Sequence, residues 1–334
     1  MKEKFFVIIK NLITEMWVGK KVCIIIFFIY FINTFLYPST ASFMDINCSP
    51  EIISKGNAGI AYPKGIENFQ LNPACCINFN ERNNIDIFFA HKNYILDTKL
   101  DYLALSILFP KYYALAISSK IFYDVSEGER ITTKDGAYTG ERFKIPFNLC
   151  ITFGIAKVNK EWNLYTGGRL KIIYQKFKEY TSSGYAIDAG IIAKLFDING
   201  VLLGLAIKNF GASSGYIEES DLYPLRINAG FYYNFIHLKK LRNKLILVID
   251  IDINCADNVK KIKSGIGYKI LKWIEISCGY DYEIGRKDII DGLKAGIVVE
   301  RGRYRIGYGI EYLGDIGYLH SVGIKVRLYK SNKR

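Results

Sequence analysis

Only three histidines occur in the 334 residues, and this limits the catalysis that the chain could perform. His91, His237 and His320 lie far apart, and none accompanies a Ser-x-Gly elbow or a His-Glu-x-x-His zinc motif. Nucleophilic catalysis needs a base within hydrogen-bond reach of the nucleophile, and no spacing here indicates such a pair. The sequence therefore predicts no catalytic residue and a protein that is not an enzyme.

One short acidic stretch resembles the beginning of a calcium-binding loop. Residues 250–254 read Asp-Ile-Asp-Ile-Asn, which is how an EF-hand loop begins. However, Cys255 stands where that loop requires glycine, and Lys261 stands where it requires a bidentate glutamate. Strand alternation explains Asp250 and Asp252 better, because it places both on one face. We therefore expect no metal site.

Two other motifs indicate structure and no particular chemistry. Cys75 and Cys76 are adjacent, which suits neither a disulfide framework nor a zinc site, so we interpret them as small buried residues. A redox-active vicinal pair is the alternative. Gly-Ile-Gly at 265–267 lies within a predicted strand and opens no helix, so it is not a nucleotide-binding fingerprint. We expect no cofactor.

Most of the remaining sequence alternates with a period of two, which indicates β-strands. In residues 244–253 the odd positions are all Leu or Ile, whereas the even positions include Lys244, Asp250 and Asp252. Such runs predict fourteen strands within residues 83–329, with one of them at 141–156. Most have about the 9–11 residues that a tilted strand needs to cross a bilayer.

The predicted connections alternate between short turns and longer loops, notably 124–140, 210–222 and 283–290. Bacterial outer-membrane barrels show this pattern, with the longer loops outside the cell, so we expect 124–140 to be extracellular. The 15% aromatic content suits girdles at the membrane interfaces. The predicted fold is all-β, a transmembrane antiparallel β-barrel of about fourteen strands. A soluble β-sandwich or propeller is the alternative.

Charged residues collect on the face opposite the apolar one. The formal charge of +13 permits an anionic partner, but the basic residues fall singly on strands, which argues against nucleic acid. Two interpretations stay open: a cross-strand ion-pair ladder that fills a narrow barrel, or a basic lumen that selects anionic solutes. The candidate luminal charges are Arg169, Arg226, Asp250, Asp252, Arg303, Arg305 and Arg327.

The N-terminal residues have the character of a secretion signal. Two lysines precede an apolar run at 22–36, which is short for a membrane-spanning helix and ends in small residues. We predict a signal peptide at 1–41, cleaved after Ala41, with Met16 as an alternative start. The protein is then expected in the bacterial outer membrane, with outer-membrane lipid as a partner.

The last predicted strand carries a second targeting feature. Residues 321–328 read Ser-Val-Gly-Ile-Lys-Val-Arg-Leu, which resembles the final-strand signal that the barrel-assembly machinery reads. Leu328 and Tyr329 replace the usual terminal Phe, and a basic tail follows at 330–334. We therefore predict the barrel-assembly machinery as a partner.

Residues 42–82, between the signal and the first strand, differ from the rest of the chain. Ser49 and Pro50 suit the N-cap and first position of a helix, and the glycines that follow permit close backbone approach. We interpret the segment as a plug that folds into the barrel. Its motif residues are Gly56, Gly59, Asn72, Pro73 and Ala74.

Several motifs in order resemble the PorV/PorQ family of outer-membrane proteins, which belong with the FadL-like barrels. They are the Asn-Pro-Ala of residues 72–74 and the Gly-rich stretches at 203–211, 224–230, 265–268 and 304–308. The resemblance spans nearly the whole chain after the predicted signal. It departs at Cys75-Cys76, where relatives have small residues such as glycine. The family implies a barrel of fourteen strands.

The resemblance also implies a non-enzymatic function. PorV-like members bind exported proteins and deliver them at the cell surface in type IX secretion, which implies exported proteins as partners. More distant FadL-like relatives carry hydrophobic molecules through the barrel. A FadL-like or porin-like channel for small or hydrophobic molecules is therefore the alternative.

Overall fold

The computed structural model describes most of the chain from residue 40 onward. The described ranges are 40–77, 84–109, 113–124, 128–134, 137–143, 147–177, 180–195, 200–216, 220–235, 245–285 and 290–329. Nearly all of the predicted signal peptide, including Met16, lies outside these ranges, as do His237 and the tail 330–334. Within them, no helix is long and apolar enough to cross a membrane.

The described chain is built mainly from β-strands. In order they are β1 Asn84–Asn93, β2 Thr98–Phe109, β3 Tyr113–Asp124, β4 Gly128–Lys134, β5 Ala137–Phe143, β6 Phe147–Asn159, β7 Leu164–Phe177, β8 Tyr180–Lys194, β9 Val201–Ser213, β10 Arg226–Phe235, β11 Leu245–Asn254, β12 Val259–Leu271, β13 Ile274–Glu283, β14 Leu293–Arg301, β15 Tyr304–Tyr312 and β16 Tyr318–Tyr329. One short helix, α1 (Pro50–Ser54), precedes them, with 3-10 turns at Ser42–Asp45, Ile66–Asn68, Pro73–Cys76 and Gly314–Ile316.

Fourteen of these strands close into one antiparallel barrel, which confirms the predicted fold. Each strand pairs with its neighbour in sequence, and closure occurs where β1 pairs with β16, from Asn84 opposite Tyr329 to Asn93 opposite His320. Closure leaves no exposed sheet edge within the bilayer, where unpaired backbone groups would find no water. The chain is an outer-membrane barrel.

The prediction of one strand over 141–156 was wrong. Residues 137–143 form β5, which pairs with β4 in a separate hairpin whose strands run from Lys134 opposite Ala137 to Gly128 opposite Phe143. Because β5 exchanges its backbone hydrogen bonds with β4, it does not join the wall. The wall resumes with β6 at Phe147, which pairs with β3. The predicted loop 124–140 therefore contains most of a hairpin.

The two faces of the wall have opposite character, as the alternation predicted. On β11, Val248 and Asp250 are almost fully buried, whereas Ile249 is 39% and Ile251 51% exposed. The exposed side chains on the outer face are mostly Ile, Leu, Phe and Tyr, which suits contact with lipid. The buried face is rich in glycine and charged residues, and it lines the lumen.

The connections define two ends of the barrel. Short turns at 160–163, 272–273 and 302–303 lie at one end, together with the start of β1 and the end of β16. We call this the turn end. Longer connections at 214–225 and 284–292 lie at the opposite end, which we call the loop end.

Residues 40–77 lie inside the barrel, and we call them the plug. The plug enters at the loop end, where the Thr40 backbone N–H donates to Leu222 O at 3.1 Å. Helix α1 packs on β13 to β16, and the 3-10 turn Pro73–Cys76 packs on β6 to β8. The plug's buried apolar side chains join those of the wall in three clusters, and in the largest of these Phe69 and Ile66 are fully buried.

Candidate functional site

Glycines in the wall let the plug backbone lie directly against the strands. A Cβ added at Gly265 on β12 would lie 2.5 Å from Lys55 Cα, and one at Gly279 on β13 would overlap Gly56. A Cβ at Gly167 on β7 would lie 2.5 Å from the Pro73 carbonyl carbon. Such distances are far below van der Waals contact, so only glycine fits at these points. The Gly-Ile-Gly of 265–267 therefore has a packing role.

The predicted Asn72-Pro73-Ala74 motif makes polar contacts within the plug and with the wall. Asn72 caps the 3-10 turn Pro73–Cys76, because its Oδ1 accepts from the Ala74 N–H at 2.9 Å. Its Nδ2 donates to Ile60 O at 2.9 Å and reaches Leu205 O of β9 at 3.3 Å. One buried amide thus joins two parts of the plug to a strand.

The side chain of Asp250 on β11 binds the backbone of the plug. Its Oδ2 accepts from the Gly59 N–H at 2.6 Å and from the Ile60 N–H at 3.0 Å. Gly59 has a φ of 150°, and Gly56 lies in the left-handed region at 67°. The second of these conformations is one that other residues rarely adopt. Two glycines of the predicted motif therefore shape the plug around its wall contacts.

Ion pairs fasten the plug in the half of the lumen near the turn end. Glu51 on α1 pairs with Arg305 on β15, and Lys55 pairs with Glu275 on β13 at 2.7 Å. All four side chains are at most 4% exposed. Burial opposes the charged form of Glu51, but Arg305 and Lys64 hold the pKa of that carboxyl well below its usual range.

The same network continues along the plug toward its C-terminal end. Glu67 pairs with Lys325 on β16 at 2.8 Å, and Arg305 reaches it at 3.5 Å. Arg169 on β7 donates to Phe69 O and to Gln70 O, the latter at 3.0 Å, and it pairs with Asp188 on β8. Charged groups of the wall thus satisfy both side chains and backbone carbonyls of the plug.

The half of the lumen near the loop end holds a cavity of about 310 Å³. The plug and the wall meet there through Arg226 on β10, which pairs with Asp45 of the plug at 2.6 Å and with Asp252 on β11 at 3.0 Å. Asp252 also pairs with Lys263. Asp291 and residues of β12 to β16 complete the lining of the cavity.

The charges that the described residues contribute to this cavity balance in number. The cations are Lys92, Lys208, Arg226, Lys261, Lys263 and Lys294. The anions are Asp45, Asp252, Asp281, Glu283, Asp291 and Glu311. Few lining side chains are apolar, among them Ile46, Leu71 and Leu319. The cavity therefore has a polar, strongly charged wall, in contrast to the apolar lining of most small-molecule sites.

The structure places the predicted luminal charges in three positions. Arg169, Asp250 and Arg305 contact the plug directly, whereas Arg226 and Asp252 line the cavity. Arg327 pairs with Asp86 at 3.3 Å close to the turn end and is 15% exposed. Arg303 lies in the turn between β14 and β15 and is exposed.

The plug's own charged residues were missing from the prediction. Asp45, Glu51, Lys55 and Glu67 are buried, and each pairs with the wall. Their sequence signal was present, because unpaired charges are rarely buried and these four stand in a Gly-rich, largely apolar segment. A plug of that composition needs oppositely charged partners inside the barrel.

The cysteines and histidines of the described residues make no catalytic arrangement. Burial raises the pKa of the Cys76 thiol to about 12 and that of Cys75 well above its usual range, so both thiols stay protonated at neutral pH. His91 pairs with Asp101 at 2.7 Å, and His320 contacts the Tyr308 hydroxyl at 2.7 Å. Within the described ranges, no group of three His, Cys, Asp or Glu residues could hold a metal.

Comparison with known proteins gives similarity at the level of fold. No family model and no curated protein sequence match the chain. The structure of the CymD monoaromatic hydrocarbon channel is similar over 85% of this chain and 98% of its own, with a TM-score of 0.57 and 12% identity. The toluene transporter TbuX of Ralstonia pickettii gives 0.56 at 10% identity over 84% and 97%.

A FadL homologue of Pseudomonas aeruginosa gives a TM-score of 0.50 at 11% identity and covers 88% of this chain and 98% of its own. These neighbours are described as channels, transporters or FadL homologues, and none is described as an enzyme. The resemblance to FadL-like barrels is therefore present in the structure, whereas membership of the PorV/PorQ branch is not shown. The chain has the fold of the FadL-like outer-membrane barrels.

Proposed function

We propose that this protein is a gated channel that admits small molecules across the outer membrane, with the plug as its gate. One observation carries the proposal: the lumen is closed near the turn end by a plug held through non-covalent contacts, while a cavity remains near the loop end. A solute could therefore enter from the loop end, occupy the cavity and pass when the plug moves. The FadL-like fold, shared with solved channels, supports this proposal.

The plug contacts are of a kind that water can replace. Breaking the buried ion pairs of Glu51 and Glu67 would leave unpaired charges, so the plug can move only where water follows it and hydrates both partners. The apolar part of the plug surrounds Phe69, and moving it exposes apolar area to the lumen. We therefore expect a gate that is closed at rest and opens rarely.

The competing hypothesis is PorV-like delivery of exported proteins at the cell surface. This hypothesis rests on sequence motifs that resemble the PorV/PorQ family. Two of these motifs, Gly265–Gly267 and Asn72–Ala74, have a structural role in the contact between plug and wall. A delivery protein could keep its barrel permanently closed, because its partner would bind the rim. A channel must open.

Purified protein reconstituted in planar bilayers and in liposomes tests the proposal. We expect brief, infrequent openings in the intact protein, and longer, more frequent openings in Asp250→Ala, in which two plug N–H groups lose their acceptor. Conductance that stays at background in both, together with co-purification of exported proteins, would favour delivery. Heat-modifiable migration on gels serves as the control that the variant barrel is folded.

A further inference from the structure

We infer that the cavity near the loop end binds small zwitterionic solutes, which carry a carboxylate and an ammonium group, and does not bind hydrocarbons. This inference rests on the proposed channel and names the class of molecule that the channel takes. It separates the protein from the hydrocarbon channels that share its fold.

Balanced charge is the first argument. Among the described residues, six cations and six anions line the cavity, so a solute with a net charge of either sign gains little from the sum of their fields. A hydrocarbon would bind even more weakly, because it would displace water from charged groups without forming a hydrogen bond to them. A molecule with both signs of charge replaces the lost water on both kinds of side chain.

Lys208 on β9 is the cation with the weakest partner in the cavity. Its Nζ lies 3.8 Å from Asp45 Oδ1, and this is the only ion pair that it makes within the described ranges. Asp45 itself is held at 2.6 Å by Arg226, so it is shared between two cations. Lys208 therefore has donor capacity left for a carboxylate that enters the cavity.

Asp281 on β13 is the corresponding anion. Its Oδ2 accepts from Asn57 Nδ2 of the plug at 3.0 Å, whereas its Oδ1 has no hydrogen-bond partner among the described residues. Its register partner on β12, Lys263, forms its ion pair with Asp252 instead. A buried carboxylate oxygen without a partner is costly, and an ammonium group would satisfy it.

The remaining cavity charges are largely occupied by one another. Glu311 pairs with both Lys92 and Lys294, and Lys261 pairs with Glu283 at 2.9 Å. The two groups with spare capacity thus have opposite signs and stand on different strands of one cavity. A solute that carries both signs of charge therefore finds one partner for each in this cavity.

The two groups also connect the cavity to the gate. Lys208 contacts Asp45, and Asp281 contacts Asn57, and both of these partners belong to the plug. A zwitterion that binds Lys208 and Asp281 therefore competes with two plug contacts. We expect bound solute to loosen the plug from the wall.

Calorimetric titration of the detergent-solubilised wild-type protein at low salt tests the inference. The probes are glycine, glycylglycine and triglycine as zwitterions, with acetate, methylammonium, glucose and toluene for comparison. We expect at least one zwitterion to bind at least tenfold more tightly than acetate, methylammonium, glucose and toluene. Toluene binding without zwitterion binding, equal binding of acetate or methylammonium, or no binding of any probe would each overturn the inference.

Substitutions then assign the binding to the two residues. Lys208→Met and Asp281→Asn should each weaken zwitterion binding at least tenfold, while Lys208→Arg should retain it. The matched controls are Lys157→Met and Glu161→Gln, both on exposed residues near the turn end and away from the cavity, and these should leave affinity unchanged. Equal affinity in all five variants would show that the zwitterion binds elsewhere and would contradict the assignment.

Uptake into liposomes separates this inference from the proposed function. Zwitterions that bind but never enter liposomes would contradict the channel and leave the binding site in place. Entry of toluene or glucose without entry of zwitterions would support the channel and contradict the site.

Discussion

The two halves of the lumen contain charged side chains of both signs but use them differently. Near the turn end, Glu51 and Glu67 of the plug lie in direct contact with Arg305 and Lys325 of the wall, and all four are buried. Near the loop end, the charges surround a cavity of about 310 Å³ and are partly paired across it. Charged side chains of both signs therefore close the half near the turn end, whereas near the loop end they leave a cavity that a solute can enter.

This difference shows how one polar lumen can both be closed by a plug and hold a binding site for a solute. In the closed half each charge has a fixed protein partner, and removing one partner leaves a buried, uncompensated charge. In the open half, water or a solute can take the place of a missing partner. We expect substitutions in the closed half to open the gate and those in the open half to change what binds.

The largest effect is expected at the wall glycines beneath the plug. In Gly167→Val the side chain would overlap Pro73 and Ala74, so the plug must leave the wall. We expect single-channel conductance to rise at least tenfold in planar bilayers. Gly168→Val is the matched control: it is the next residue on β7, and the nearest atom to its added Cβ is Asp188 O at 3.8 Å. Equal conductance in the two variants would show that the glycine contact does not hold the plug.

Arginine substitutions compare the two halves directly. Arg305→Met leaves Glu51 only its longer ion pairs, with Lys55 at 3.5 Å and Lys64 at 3.8 Å, and removes one partner of Glu67 as well. Because Glu51 and Glu67 are buried, we expect the free energy of unfolding to fall by about 3 kcal/mol. Arg226→Met should cost only about 1–2 kcal/mol, because Lys263 still pairs with Asp252 and the cavity can admit water. Denaturant titration of the folded barrels measures both. A larger loss in Arg226→Met would reverse the roles assigned to the two halves.

Asp250 lies between the two halves and should give an intermediate effect on plug mobility. Asp250→Ala removes the acceptor of the Gly59 and Ile60 N–H groups, at about 1–3 kcal/mol for each unsatisfied group. Asp250→Asn keeps an amide oxygen at the same place and should be milder. Limited proteolysis of the plug reports the difference. Identical cleavage of both variants and wild type would argue against this anchor.

The smallest effect concerns the pH dependence of Lys64 in the plug. Burial, together with nearby Arg305, lowers the pKa of Lys64 to about 8, although Glu51 lies 3.8 Å away. Between pH 8 and 10.5 the unfolded chain then binds more protons than the folded one, so stability rises with pH. The Lys64 side chain is 16% exposed, so solvent screens part of this effect. We expect the free energy of unfolding to rise by less than about 1 kcal/mol per pH unit. Denaturant titrations at pH 8 and pH 10 measure this rise, and Lys64→Met should lack it. A rise in the free energy of unfolding that is the same in Lys64→Met and wild type would contradict the prediction.

Local alternation in the sequence was enough to predict the barrel. The period of two puts Ile249 on one face and Asp250 on the other, and this depends only on the pleat of a strand. The count of fourteen wall strands follows from the same rule and was confirmed. The Gly-rich residues before β1 likewise stood out as a separate segment, because they carry no such alternation.

Only the tertiary structure decided what pairs with what. Residues 137–143 form a strand, but it pairs with β4 and not with the wall. The Asp-Gly sequence at 135–136 is typical of a hairpin, but it does not reveal that this hairpin stays separate from the barrel. Arg303 continues the alternation of β15, yet the chain turns there. The contacts of Glu51 with Arg305 and of Lys55 with Glu275 join residues more than 200 positions apart. Such partners, and the cavity that Lys208 and Asp281 line, depend on barrel closure around the plug, which sets distances between strands that no local pattern encodes.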